Sequence, residues 1–101
     1  MNIINHLESN SKKYPEKNAI IFENEKISYK ELYDRVQNVS LSISELNKEV
    51  ISLISENSIS FIIFYLSILR SGNIAHIVSP EISEINLNNQ IKSANSQLII
   101  C

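Results

Sequence analysis

The sequence predicts an α/β fold: an N-terminal helix and a β-hairpin, followed by β-α-β units sharing a mainly parallel sheet. Three observations carry this. Residues 19–22 and 26–29 are short runs of strand formers around Glu23-Asn24-Glu25, a segment of turn character. Residues 50–54, 74–78 and 97–101 are apolar strand candidates. The intervals between those three hold helical patterns long enough for the crossovers that parallel strands require, and such crossovers are right-handed as a rule.

In chain order, Ile4 and Leu7 stand one helical step apart, and the segment turns polar through Lys12 and Lys13 before Pro15, which a helix interior rejects. A short amphipathic helix ends there, and the hairpin follows. Ser28 precedes Glu31 by three residues, the spacing at which a hydroxyl and a carboxylate satisfy each other's free backbone N–H groups at a helix start. A helix is therefore expected from Tyr29, with Leu32, Val36, Val39, Ile43 and Leu46 on its buried face and Asp34, Arg35, Gln37 and Asn38 in water. After the strand at 50–54, Asn57 or Ser58 can cap an apolar helix that runs to Arg70, with Gly72 as its stop. The strand at 74–78 leads to Pro80 and a helical pattern over 82–94, with Ile85, Leu87 or Asn88, and Ile91 on one face. Residues 97–101 close the chain as a strand.

With 101 residues and 44% hydrophobic content, the chain is sized for one modest core. Eleven acidic and nine basic residues give a net charge of -2 without a basic stripe or an acidic tail, so neither a nucleic acid nor any charged partner is implied. The start, Met1-Asn2-Ile3-Ile4-Asn5-His6, has no secretory or transit character. The most apolar stretch, 59–69, contains Ser60 and Ser67 and is far shorter than the roughly 20 residues a membrane span needs. It reads as a buried helix, and no membrane is expected. One cysteine, Cys101, permits no disulfide within a chain, and a reduced cytoplasm is the expected compartment.

The search for chemistry is mostly negative. With Gly72 as the single glycine, no phosphate-cradling loop of the GxGxxG or Walker type can form. His6, His76 and Cys101 lack metal-ligand spacing, so His6 is assigned to the surface and His76 to strand packing. Cys101 follows two isoleucines with nothing nearby to lower its pKa, and a buried structural thiol is expected. The carboxylate pairs Glu23 with Glu25, and Glu81 with Glu84, fall in turn and helix-start settings where solvation and the helix dipole account for them. Tyr29, Tyr33 and Tyr65 lie on or beside apolar helix faces and are assigned to packing. Lys12-Lys13 is taken as a wet face. No catalytic, cofactor-binding or metal-binding residue is expected in this chain.

Three segments, in order, resemble the N-terminal region of the adenylate-forming superfamily, which includes acyl-CoA synthetases and the adenylation domains of peptide synthetases. Tyr14-Pro15-Glu16-Lys17-Asn18-Ala19-Ile20 is similar to that family's P-x-x-x-A-hydrophobic lead into the hairpin. Ile27-Ser28-Tyr29-Lys30-Glu31-Leu32 resembles its first core motif, L-[TS]-Y-x-E-L. Leu69-Arg70-Ser71-Gly72 with Ser79-Pro80 resembles the second, L-K-A-G-A-x-x-x-P-L-x-P, and the helix before it follows Ser55-Glu56-Asn57-Ser58, similar to the family's P-N-S pattern. The chain also departs from the family's pattern. Asn47-Lys48-Glu49 replaces a glycine-bearing loop, Ile77 stands where a proline is expected, and Ala75 where an aromatic is common.

The resemblance implies part of the large N-terminal domain of a ligase, with residues 1–101 an incomplete AMP-dependent synthetase/ligase domain. In such a ligase ATP and Mg²⁺ convert a carboxylic acid to an acyl-adenylate, and the acyl group passes to CoA or a phosphopantetheine thiol. The phosphate loop, adenine-binding aromatic, ribose-binding aspartate and catalytic lysine of that family have no counterpart here, so inactivity alone is expected, with the remainder of the ligase as partner. This reading also predicts an apolar surface left uncovered on the sheet. The alternative is a free-standing α/β interaction or regulatory module without catalysis.

Overall fold

The computed structural model describes residues 2–101. Its elements are α1 (Ile3–Lys13), β1 (Asn18–Phe22), β2 (Glu25–Ser28), α2 (Tyr29–Ser42), β3 (Val50–Ile54), α3 (Ile59–Arg70), β4 (Ile74–Val78), α4 (Glu84–Ala94) and β5 (Ser96–Ile100). β1 and β2 pair antiparallel, and β4, β3 and β5 form a parallel sheet with β3 in the middle.

The Asn2 side chain caps α1 by accepting from the Ile4 N–H at 2.8 Å, and the helix ends before Pro15. Ser28 caps α2, its Oγ accepting from the Glu31 N–H at 3.1 Å. The expected reciprocal bond from Glu31 is not made. The Glu31 carboxylate instead takes the Arg35 guanidinium one turn on, at 2.7 Å, because that partner is charged and in easy reach. The helix also stops at Ser42, short of the predicted face through Leu46. Ser40, Ser42 and Ser44 each turn a hydroxyl to a nearby main-chain carbonyl, which draws the backbone away from helical pairing. Ile43 and Leu46 still reach the core from the tightened turn that follows.

α3 is the buried helix its composition predicts. Ser58 Oγ caps it by accepting from the Phe61 N–H at 3.1 Å. One side, with Ile59, Ile63 and Leu66, meets Leu7, Ile27, Leu32 and Val36 from α1, the hairpin and α2. The other side brings Ile68 against Ile51, Leu53 and Ile43. Two apolar clusters thus flank a single helix, and none of the described helices is long and apolar enough to cross a membrane.

Alternation along the strands divides the sheet into two faces. Ile51 and Leu53 of β3, with Ala75, Leu98 and Ile100, form the face under α3. The opposite face carries Ser52 and His76, and α4 lies against it. The crossovers from β3 to β4 and from β4 to β5 run in opposite directions across the sheet, so crossovers of one hand place α3 and α4 on opposite faces.

α4 begins at Glu84, two residues later than predicted, because Ser83 serves as its N-cap and leaves Ile82 in the preceding turn. None of its residues is buried, and Ile85 is 74% exposed. Cys101 is exposed rather than buried: β5 ends at Ile100, and the thiol lies past the last strand pairing. Apolar surface is uncovered on the sheet at Ile74, Ile77 and Ile99, all on the edge strands β4 and β5.

Candidate functional site

A polar cluster joins the three parallel strands. Ser52, fully buried in the middle of β3, places its Oγ 2.7 Å from His76 Nδ1 on β4 and within hydrogen-bonding distance of Ser96 Oγ on β5. The parallel register sets Ser52 directly beside His76. Ser96 reaches the same face because β5 carries an irregularity at its start: Val50 is opposite Ser96, but Ile51 is opposite Leu98. Gln97 is the extra residue. The Ser52 hydroxyl has one proton for two neighbours, so when it donates to His76 it accepts from Ser96, and the reverse arrangement is equally complete.

Beside His76, an open groove of about 400 Å³ is lined by Asn89, Gln90, Ser93 and Ala94 of α4. A serine–histidine pair next to a groove invites a nucleophilic reading, but the geometry opposes it. Ser52 has no exposed surface, and a nucleophile must meet its substrate. The cluster satisfies buried polar groups and ties three strands together. The strand packing expected for His76 agrees with this placement; its pairing with Ser52 is seen only in the structure. The signal was available, since each residue is the third of a five-residue strand; Ser96 was not legible, because nothing in the sequence marks the bulge.

A second concavity, about 280 Å³ and almost wholly apolar, lies between α1, β1, α2 and α3, with Ile3, Leu7, Ile20, Tyr29, Ile62 and Tyr65 in its walls. Tyr29, Tyr33 and Tyr65 all pack on the first apolar cluster, as expected. Tyr65 stacks on Phe61 one turn earlier, and the Arg70 guanidinium lies 5.9 Å from the centre of the Tyr33 ring.

The glycine motif is a structural device. Gly72 has φ +81°, its N–H bonds the Leu69 carbonyl, and the Asn73 N–H bonds the Ile68 carbonyl. This double closure ends a helix through one left-handed residue. Asn73, itself buried, then accepts from the Glu49 N–H at 3.0 Å, while the Ile74 N–H donates to the Glu49 carbonyl at 2.8 Å and the Lys48 N–H to the Gly72 carbonyl. The start of β4 is thereby fastened to the start of β3.

The remaining predicted positions are dispersed. His6 is exposed on α1 beside Asn10. Glu23, Glu25, Glu81 and Glu84 are exposed, as are Lys12 and Lys13. Among the described residues no group of three or more His, Cys, Asp or Glu side chains is placed to hold a metal ion.

A family model described as "AMP-binding enzyme" matches residues 7–101. The chain is 27% identical over 97 residues to indigoidine synthase of Dickeya dadantii, covering 93% of this chain and 6% of that protein. It is 35% identical over 72 residues to gramicidin S synthase 2 of Brevibacillus brevis, covering 68% of this chain and 2% of that one. Among solved structures, the N-terminal subdomain of Klebsiella oxytoca NpsA superposes with a TM-score of 0.85 at 20% identity, over 97% of this chain and 26% of that chain. VinN superposes with a TM-score of 0.91 at 19% identity, over all of this chain and 28% of its own. The chain therefore spans a small part of the length of the proteins it matches.

Proposed function

The chain belongs to the AMP-binding enzyme family, the adenylate-forming ligases, and from that membership we propose that it is a scaffold portion of a carboxylate-activating ligase, without activity by itself. In the complete ligase a carboxylic acid and ATP would give an acyl-adenylate and pyrophosphate, and a thiol of CoA or of a carrier protein's phosphopantetheine would then take the acyl group and release AMP. The partner of this chain is the remainder of that ligase, and the compartment is the cytoplasm.

The observation that carries this reading is the role of Gly72. The only glycine of the chain is committed to closing α3 in a left-handed conformation, which leaves none for a loop whose N–H groups converge on phosphates. Mg²⁺ fares no better: the acidic residues are scattered, and no cluster of the described residues suits a cation. These residues do not fit either group, so no catalytic step is assigned to them. NpsA has been solved in complex with 3-hydroxyanthranilyl-AMSN. The residues of this chain are taken to support a site of that kind from behind, with the glycine closure and the Asn73 contact holding β3 and β4 in register.

Isothermal titration of the purified chain with ATP and Mg²⁺, beside thermal melts with and without the nucleotide, tests the proposal. The expected result is no heat of binding and an unchanged melting curve. Saturable binding with a raised melting temperature would overturn it. An oligomer of one fixed size at every concentration, with the melt equally unchanged by nucleotide, would instead favour the free-standing module.

A further inference from the structure

We infer that α4 is a hinged cover that lifts from the sheet as a unit, widening the open groove beside His76 while the other elements stay folded; the inference does not depend on the ligase reading.

Four observations carry it. First, α4 has no buried residue, whereas α3 buries Ile59, Ile63, Leu66, Ser67 and Ile68. Its least exposed residues are the half-buried Leu87, Ile91 and Ala94. Elements that bury little apolar surface are the ones that open at a small fraction of the global unfolding free energy. Second, an open groove of about 400 Å³ runs between His76 and the exposed flank of α4 that carries Asn89, Gln90 and Ser93, so that flank is not packed on the sheet. Third, the connections differ. A single residue, Asn95, joins α4 to β5 and holds φ +54°, a left-handed pivot of the kind asparagine tolerates. Residues 79–83 join β4 to α4 and provide slack. The motion is therefore a rotation about Asn95 in which the Glu84 end travels furthest. Fourth, the strands beneath are held without α4: β3 pairs with β4 and β5 through the backbone, and the Ser52 hydroxyl links His76 to Ser96. Lifting the helix breaks neither set of bonds. It widens the opening over the half-buried imidazole of His76 and leaves the buried serine beneath it in place.

Amide hydrogen exchange read by mass spectrometry tests this on the full chain, with the Leu87→Ser variant alongside. α4 amides are expected to exchange at least tenfold faster than the central amides of α3. Leu87→Ser, which removes one of the few apolar anchors, should accelerate α4 further and leave α3 unchanged. A separation below tenfold at any overall level of protection, including a chain unprotected throughout, overturns the inference. So does a Leu87→Ser variant that accelerates α3 and α4 alike.

Discussion

Single residues here act mainly through backbone geometry and local hydrogen bonds. Gly72 is the sharpest case. A Cβ at this position would meet nothing closer than Asn47 Oδ1 at 4.0 Å, so Gly72→Ala creates no clash. Its cost is the left-handed φ itself, roughly 1–2 kcal/mol, or about 4–8 °C of melting temperature per kcal/mol for a chain of this size. A melt of the variant checks this, and an unchanged melting temperature would show that the helix ends equally well by another route. Ser67 is the buried counterpart. Its hydroxyl lies 2.6 Å from the Ile63 carbonyl and 3.2 Å from the Val36 carbonyl across the α2–α3 contact. Ser67→Val would put a larger apolar side chain against two buried acceptors, and overpacking of this kind costs about 1–3 kcal/mol.

At the scale of elements, the caps decide where helices begin, and they can be ranked. Ser28→Ala removes the acceptor for the Glu31 N–H and is expected to cost about 0.5–2 kcal/mol. Glu31→Gln removes the ion pair with Arg35, in which the two side chains are 51% and 56% exposed, and a carboxylate in the first turn of the helix; both are screened by solvent, so it is expected to cost about 0.5 kcal/mol, less than the cap. Chemical denaturation of both variants tests the order; an equal loss would mean that the carboxylate supports the helix start after all. The same element shows what sequence can and cannot carry. The start of α2 was legible because a serine cap and an apolar period coincide at one position. Its end was not, because Ser40, Ser42 and Ser44 compete for main-chain carbonyls without interrupting the apolar spacing of Val39, Ile43 and Leu46. For α4 the apolar period marks a helix, yet it carries nothing about how little of that helix is covered, since burial depends on what stands opposite. The Ser52–His76–Ser96 cluster lies between these cases: the strand centres align two members, and a bulge at Gln97 brings the third.

Across the whole molecule, the parallel sheet ends in two open strands, and neither carries the devices that ordinarily discourage pairing. β4 reads Ile74-Ala75-His76-Ile77-Val78 and β5 reads Ser96-Gln97-Leu98-Ile99-Ile100, with no lysine or proline in either and with Ile74, Ile77 and Ile99 about half exposed. Exposed backbone donors and acceptors beside apolar side chains form a template for another strand. The chain is therefore expected to self-associate through such an edge as its concentration rises. Ile77→Lys tests the role of β4 directly. Ile77 is 48% exposed, so a lysine can extend its charge into water while its stem covers the same apolar neighbours. The variant should remain monomeric by light scattering at concentrations where the parent chain has begun to associate, with little change in melting temperature. Association that persists unchanged in the variant would move the responsible surface away from β4, and β5, which carries the exposed Ile99 on the other side of the sheet, would be the next edge to substitute.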